Sequence, residues 1–278
     1  MSNGQSVELA DLYRGRSAFF LGAGPSLLDV DLPLLNSRGV LTCGVNNVPA
    51  IFRPHLWVSA DDPGNFADAI WRDPGILKFV PRGHFERPIV VRGEDGSLNV
   101  SSECVASMPA VFGFDLNELF CPERWLFEDT FNWGNDGSTP DLDGNRGGRS
   151  VMFLALRLLF YLGIRKVFLL GCDFRMTFDQ PNYAFSQART RASVLNNNAS
   201  YRILNRRLIR LRPCFDAAGF EVFNCTEGSQ LAAFPFVTLE QALNEMTAGI
   251  PKQIVTDGMY DRLQRERDAQ RASPHAVR

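Results

Sequence analysis

Phe19-Phe20-Leu21-Gly22-Ala23-Gly24-Pro25-Ser26-Leu27 and Lys166-Val167-Phe168-Leu169-Leu170-Gly171-Cys172-Asp173-Phe174 decide how this chain folds. Each is an apolar run that spells a buried strand and then breaks at glycine. The first breaks into a tight turn carrying a hydroxyl, the second into a glycine and an acid. In an open parallel sheet, ligands bind outside the carboxyl ends of strands. Two such ends in one chain predict a nucleotide-type pocket.

Working outward, residues 17–21 read as the first strand, and Pro25-Ser26 leads into a short helix through Leu27, Leu32 and Leu35. Gly39–Val45 reads as a second strand ending at Asn46-Asn47, and His55–Ala60 as a third ending at Asp61-Asp62. Strands this closely spaced predict a Rossmann-like, doubly wound α/β fold with a mostly parallel sheet. Ile76–Val80 and Ile89–Val91 are short strand candidates. Residues 92–148 are rich in loop signals and read either as a functional lid or as an insertion that stabilises the sheet edge. Ser150–Leu162 is apolar apart from Arg157 and long enough for a buried helix; Gly163 and a strand at Val167–Leu170 follow. A helix over Ala199–Ala218, a strand at Phe220–Asn224 and a helix at Leu239–Met246 complete a single domain over residues 1–260. Residues 261–278 read as a polar, frayed tail.

Composition narrows the function classes. The chain has 278 residues, 45% of them hydrophobic and 22% charged, enough for a full core. A formal net charge of -2 argues against strong nonspecific nucleic-acid binding by the chain as a whole. The six cysteines form no CxxC pair and the three histidines no HxxxH pair, which disfavours a zinc site. With no signal peptide or membrane span in the sequence, a reducing, cytoplasmic setting is expected.

The chemistry sits at the strand ends. Gly22, Gly24, Pro25 and Ser26 would let backbone approach a bound group, with amides beyond the turn holding a phosphate. The turn is neither a full GxGxxG nor a Walker A loop. Asn46 and Asn47 offer paired donors and acceptors for a base or ribose. Asp61, Asp62 and Asp173 are carboxylates suited to a ribose hydroxyl, a metal or general-base work. Gly147-Gly148-Arg149-Ser150 resembles an anion-binding helix start, with Ser150 as N-cap and Arg149 or Arg146 as phosphate partner. Seven arginines lie between residues 189 and 212. Of these, Arg202, Arg206 and Arg210 share i, i+4 spacing, a stripe that is either a solvated face or a binding surface for an anionic acceptor or nucleic acid.

The Gly24-Pro25-Ser26-Leu27 turn, the serine-led helix and the run from Gly171-Cys172-Asp173-Phe174 to Asn182-Tyr183-Ala184-Phe185 resemble bacterial sialyltransferases that use CMP-sialic acid. They equally resemble the related motility accessory factors and MptE-like hydroxymethylpterin pyrophosphokinases. The resemblance covers roughly residues 17–62 and 147–235. It implies a Rossmann-like fold with the nucleotide over the Gly-Pro-Ser turn. It implies nucleotide contacts from Gly22, Gly24, Pro25 and Ser26, from Asn46 or Asn47 to base or ribose, and from Tyr183 to phosphate; Gly171, at the end of the second run, is a further nucleotide-binding candidate. The implied activity is glycosyl transfer from a nucleotide-sugar donor to a hydroxyl on a glycan, protein or modified nucleic acid, with no required metal and with a homo-oligomeric state common among the relatives. The alternatives are pterin-type pyrophosphoryl transfer with ATP and magnesium, or noncatalytic nucleotide or nucleic-acid binding. Three departures stand out: Ala23 replaces an asparagine, Arg175 a tyrosine, and no histidine lies between His84 and His275. The sialyltransferase base, expected near Tyr201–Leu204, is therefore missing, which leaves Asp61, Asp62 and Asp173.

Overall fold

The computed structural model describes residue 4 and residues 6–135, 148–187, 189–251 and 253–272. The strands are β1 (Ser17–Leu21), β2 (Thr42–Val45), β3 (Leu56–Val58), β4 (Leu77–Pro81), β5 (Pro88–Arg92), β6 (Leu98–Cys104), β7 (Val111–Phe114), β8 (Lys166–Leu170) and β9 (Glu221–Asn224). The α-helices are α1 (Asp68–Arg72), α2 (Val151–Tyr161), α3 (Arg191–Ala217), α4 (Leu239–Thr247) and α5 (Asp261–Ala272). Seven strands form one sheet in the order β7-β4-β3-β2-β1-β8-β9, every neighbour parallel. Strand order runs outward from β1 in one direction and jumps to β8 on its other side. That reversal is the switch point at which open α/β sheets bind ligands. The two quoted runs are the two strands that flank it.

Alternation along the strands sets the layers. Ala18, Phe20, Val167 and Leu169 face the larger core, shared with α2 and with Leu204, Leu208, Leu211 and Phe215 of α3. Phe19, Leu21, Phe168 and Leu170 face the opposite side, packed against Leu27, Leu35 and Met246 of α4. With helices on both faces, the sheet is a doubly wound, Rossmann-like α/β fold.

Several local features depart from the sequence reading. After Pro25 the chain makes two single-turn 3-10 segments, Pro25–Asp29 and Leu32–Asn36, each with proline at its start, in place of one helix. The segment 92–148 is less loop-like than its composition suggests. Its described residues include β6, paired antiparallel with β5 off the main sheet, and β7, which forms one edge of that sheet. β6 is largely exposed and polar, and β7 carries Gly113 within its run, paired with Val80 and covered by the Phe85 ring. Helix α3 begins at Arg191, well before Ala199. Thr190 caps it by accepting from the Ser193 amide, and Asn197 bonds back to the Ser193 carbonyl. The polar tail is helical over Asp261–Ala272, with an Arg262–Glu266 pair at i, i+4. All six cysteines are free. Among the described residues, no helix is long and apolar enough to cross a membrane.

Candidate functional site

At the switch point the two glycine ends are bonded to each other. The Gly22 amide donates to the Leu170 carbonyl at 2.8 Å and the Gly24 amide to the Gly171 carbonyl at 2.9 Å. A Cβ on Gly22 would overlap the Gly171 carbonyl oxygen. One on Gly24 would overlap Asp173 Oδ2 and lie 2.6 Å from that same carbonyl oxygen. Gly171 has φ +66°, and its Cβ would stand 2.7 Å from the Gly22 oxygen. Glycine is thus demanded here by the approach of one strand end to the other, before any ligand is considered. Ser26 Oγ then donates to Asp173 Oδ2 at 2.7 Å, fastening the first turn to the second.

Above these ends lies a cleft of about 360 Å3. Gly22, Ala23 and Gly24 line its floor with Gly171, Cys172 and Asp173, while Asn46 and Asp61 enter from the ends of β2 and β3. Asn46 has φ +48°, a left-handed conformation that asparagine tolerates, and β3 holds it there. The Trp57 indole donates to its carbonyl at 2.7 Å, and Ser59 Oγ to its Oδ1 at 3.2 Å. The same Ser59 hydroxyl accepts from the Asp61 amide at 3.3 Å, so one residue sets both strand ends.

The far wall comes from α2 and α3. Ser150 caps α2, its Oγ accepting from the Met152 amide at 3.2 Å, as its position before the apolar run predicts. Ser150, Val151 and Met152 line the cleft, so the long helix whose N-terminus reaches it is α2; the turn after β1 leads only into a 3-10 segment. Arg149 lies over the Trp133 ring, 4.8 Å from its centroid. Arg207, 5% exposed on α3, donates to the carbonyls of Gly134 and Gly148 and anchors the backbone just ahead of Arg149. Arg146 and Gly147 lie outside the described residues. Arg189 donates from Nε and Nη2 to the Tyr183 hydroxyl at 3.0 and 2.7 Å, and Tyr183 stacks on Phe185 at 5.3 Å. Phe174, at φ +54°, leans on Tyr201. That conformation is an outlier for a bulky residue and costs about 1–3 kcal/mol. The segment beyond it is clamped by Asn198, which accepts from the Met176 amide and donates to the Met176 carbonyl.

Electrostatics separate the three carboxylates. Asp61 is open to solvent at the cleft mouth yet ringed by protein. Desolvation raises its pKa, opposed in turn by the positive charges of Arg149, His84 and Arg189. Asp173 is tied to Ser26. Asp62 caps a short turn by accepting from the Gly64 amide, pairs with Arg87 at 2.6 Å and does not line the cleft. Tyr201 stands where the missing histidine was expected. Burial pushes its phenol well above the ordinary value, so it stays protonated at neutral pH.

Of the residues singled out from sequence, the cleft gathers Gly22, Gly24, Asn46, Asp61, Arg149, Ser150, Gly171, Asp173 and Tyr183. Ser26 is bonded to a lining residue, while Pro25 and Asn47 start neighbouring 3-10 turns. Arg202, Arg206 and Arg210 are exposed on α3 and line no part of it. Sequence reasoning missed Trp133 and Tyr201 as lining residues and gave Arg189 no role apart from the arginine cluster. Their only signal was an aromatic or cationic side chain within loops or polar runs. Sequence reasoning gave His84 no role, although it follows β4 at the same edge of the sheet, close enough to act on Asp61.

No family model matches this chain, and no curated protein sequence matches it. Among solved structures, it is similar to a MAf glycosyltransferase from Magnetospirillum magneticum AMB-1 at 15% identity and a TM-score of 0.45, over 92% of this chain and 37% of that longer one.

Proposed function

We propose that the chain is a glycosyltransferase that takes a nucleotide-sugar donor and passes the sugar to a hydroxyl acceptor. The observation that carries this is the meeting, in one cleft at the switch point, of a desolvated carboxylate with Arg149, Arg175 and Arg189 and a capped helix N-terminus. The resemblance of the Gly-Pro-Ser turn and the Asp-Phe…Tyr-Ala-Phe run to nucleotide-sugar enzymes supports it.

Each part of the site has a task. Tyr183, which lines the cleft and is backed by the stacked Phe185 ring, and Asn46 suit a nucleoside, and the amides at the start of α2 with Arg149 and Arg189 suit its phosphate. In the transfer, Asp61 takes the proton of the acceptor hydroxyl and the freed oxygen attacks the anomeric carbon. The bond from that carbon to the phosphate oxygen breaks, and the electron pair leaves with the phosphate. Charge grows on that oxygen in the transition state, where fixed cations lower the barrier most. The raised pKa of Asp61 makes it a stronger base than an ordinary aspartate. Asp173, held by Ser26, positions donor hydroxyls as an acceptor of their hydrogen bonds. This chemistry proceeds without a metal.

The test is nucleotide release from a panel of CMP-, UDP- and GDP-sugars in EDTA, with donor binding measured separately. Asp61→Asn should lower turnover by about 100-fold or more while leaving donor affinity within a few-fold, because a general base acts on the acceptor and contributes about that factor. Binding of none of these donors, or undiminished turnover by Asp61→Asn, rejects the proposal.

A further inference from the structure

The only charge in the apolar helix α2 is Arg157, and the proposed transfer leaves it without a task. It lines a second cleft, of about 340 Å3, that shares no lining residue with the first. This cleft lies between the latter half of α2, the ends of β4 and β7, and the segment around Val7 and Leu9. Its size falls at the lower end of small-molecule sites, which span about 300–1,000 Å3. Two stacked ring pairs border it: Phe79 on Phe112 at 5.2 Å, and Phe114 on Phe131 at 4.9 Å.

Arg157 is 6% exposed. One donor is used, Nη2 to the Glu128 carbonyl at 2.7 Å, and the guanidinium lies over the rings of Phe131 and Tyr161. Among the described residues, its Nε and Nη1 are buried with no hydrogen-bond partner. A guanidinium does not shed its proton to escape such a place, and a buried donor without an acceptor is costly. The nearby acids do not meet the need: Asp115 is engaged by Arg82 at 3.1 Å, the Glu128 carboxylate by Asn117 and Arg124, and Asp129 acts on Arg157 through its charge, without a hydrogen bond to those two nitrogens.

We propose that this second cleft binds a small aryl carboxylate, with the ring among the phenylalanines and the carboxylate on the free donors of Arg157. Arg82 also lines the cleft but is paired with Asp115, so a singly charged, planar anion matches the guanidinium of Arg157 between flat apolar walls. A phosphate dianion would meet the repulsion of Asp129 and Asp115 at the same cleft. The inference stands apart from the proposed sugar transfer and shares no residue with it.

The experiment is calorimetric titration of the full chain with phenylacetate and indole-3-acetate beside their neutral amides. Both acids should bind about ten- to a hundredfold more tightly than the amides, the value of a hydrogen bond to a charged group. Arg157→Met should erase that preference; replacing a buried charge by an apolar side chain of similar size often leaves the fold intact. Asp129→Asn, an exposed change, should tighten the acids several-fold without altering the amides. Equal affinity for acid and amide, no binding of either, or an unaltered acid preference in Asp129→Asn and Arg157→Met overturns the proposal. Water alone satisfying Arg157 gives the second of these results.

Discussion

Gly24→Ala tests whether the two strand ends must touch for the fold and the site to form together. Gly24 has φ −68° and ψ 153°, values open to alanine, so the substitution carries no backbone strain of its own. The cost is steric. The new methyl would overlap Asp173 Oδ2 and stand 2.6 Å from the Gly171 carbonyl oxygen. Asp173 can swing aside only by giving up the 2.7 Å bond from Ser26, and the carbonyl can retreat only by lengthening its 2.9 Å bond from the Gly24 amide. Overpacking of this kind costs about 1–3 kcal/mol, and the lost bond to a charged acceptor about 1.5 kcal/mol in a partly solvated place. A loss of about 2.5–4.5 kcal/mol is expected, or about 5–15 °C in Tm for a chain of this size. Urea unfolding of Gly24→Ala beside Gly83→Ala supplies the assay. Gly83 has nothing within 4 Å of its Cβ position among the described residues, so that control should stay within about 0.5 kcal/mol of the parent. If Gly24→Ala is as stable as Gly83→Ala and keeps the nucleotide-sugar affinity of the parent, the contact between strand ends is not what demands glycine.

Arg149→Ala should weaken donor binding by about ten- to a hundredfold and leave stability within about 1 kcal/mol, since its side chain is exposed over Trp133; titration with the donor that the panel selects checks this. Lys78→Met should destabilise by about 2–4 kcal/mol in urea, because fully buried Lys78 donates to the carbonyls of Asp73, Ile76 and Pro109 and methionine removes all three bonds, the Asp73 carbonyl alone keeping a second donor among the described residues, the Ile76 amide at 3.5 Å. The Arg53 guanidinium, bonded to both carboxylate oxygens, holds Asp73 down to about 2. Its contribution to stability is thus complete above the unfolded value of about 3.9 and lost as pH falls through about 2. Asp73→Asn should flatten the stability profile in that window, as followed by thermal unfolding at stepped pH.

The strands that flank the switch point were legible because each is a short run of large apolar residues ending at glycine. Parallel strands buried on both faces show that pattern, and β1 and β8 are such strands. β6 and β7 were not legible: one is mostly solvated, and the other has a glycine where a phenylalanine ring covers the backbone. At the site, Asn46 and Asp61 could be placed since Asn46 directly follows β2 and Asp61 comes just after β3. Trp133, Tyr201 and His84 could not, because what brings them to the cleft region is tertiary. Trp133 is held there through the Ser150 amide, which donates to its carbonyl, and Tyr201 by the course of α3. The helix expected after Pro25 failed for a local reason, as a second proline at Pro33 restarts the turn. The arginine stripe was correctly periodic, but periodicity places side chains on one face and does not say what that face meets.

The pairing of β1 with β8 also sets an order of events. β1 pairs with β2 through a short connection, whereas its other edge is completed by a strand that follows most of the sheet in sequence. Until β8 is in place, the largely apolar central strand carries an open edge of unpaired backbone groups, the kind that recruits other chains. Contacts so distant in sequence form slowly, since the loop must close before they are rewarded. Premature release of the chain before Leu170 should therefore yield aggregates, and the seam that closes the sheet is the same one that floors the cleft. A ligand held across that seam would hold the last-formed edge shut, coupling occupancy of the cleft to the lifetime of the folded chain.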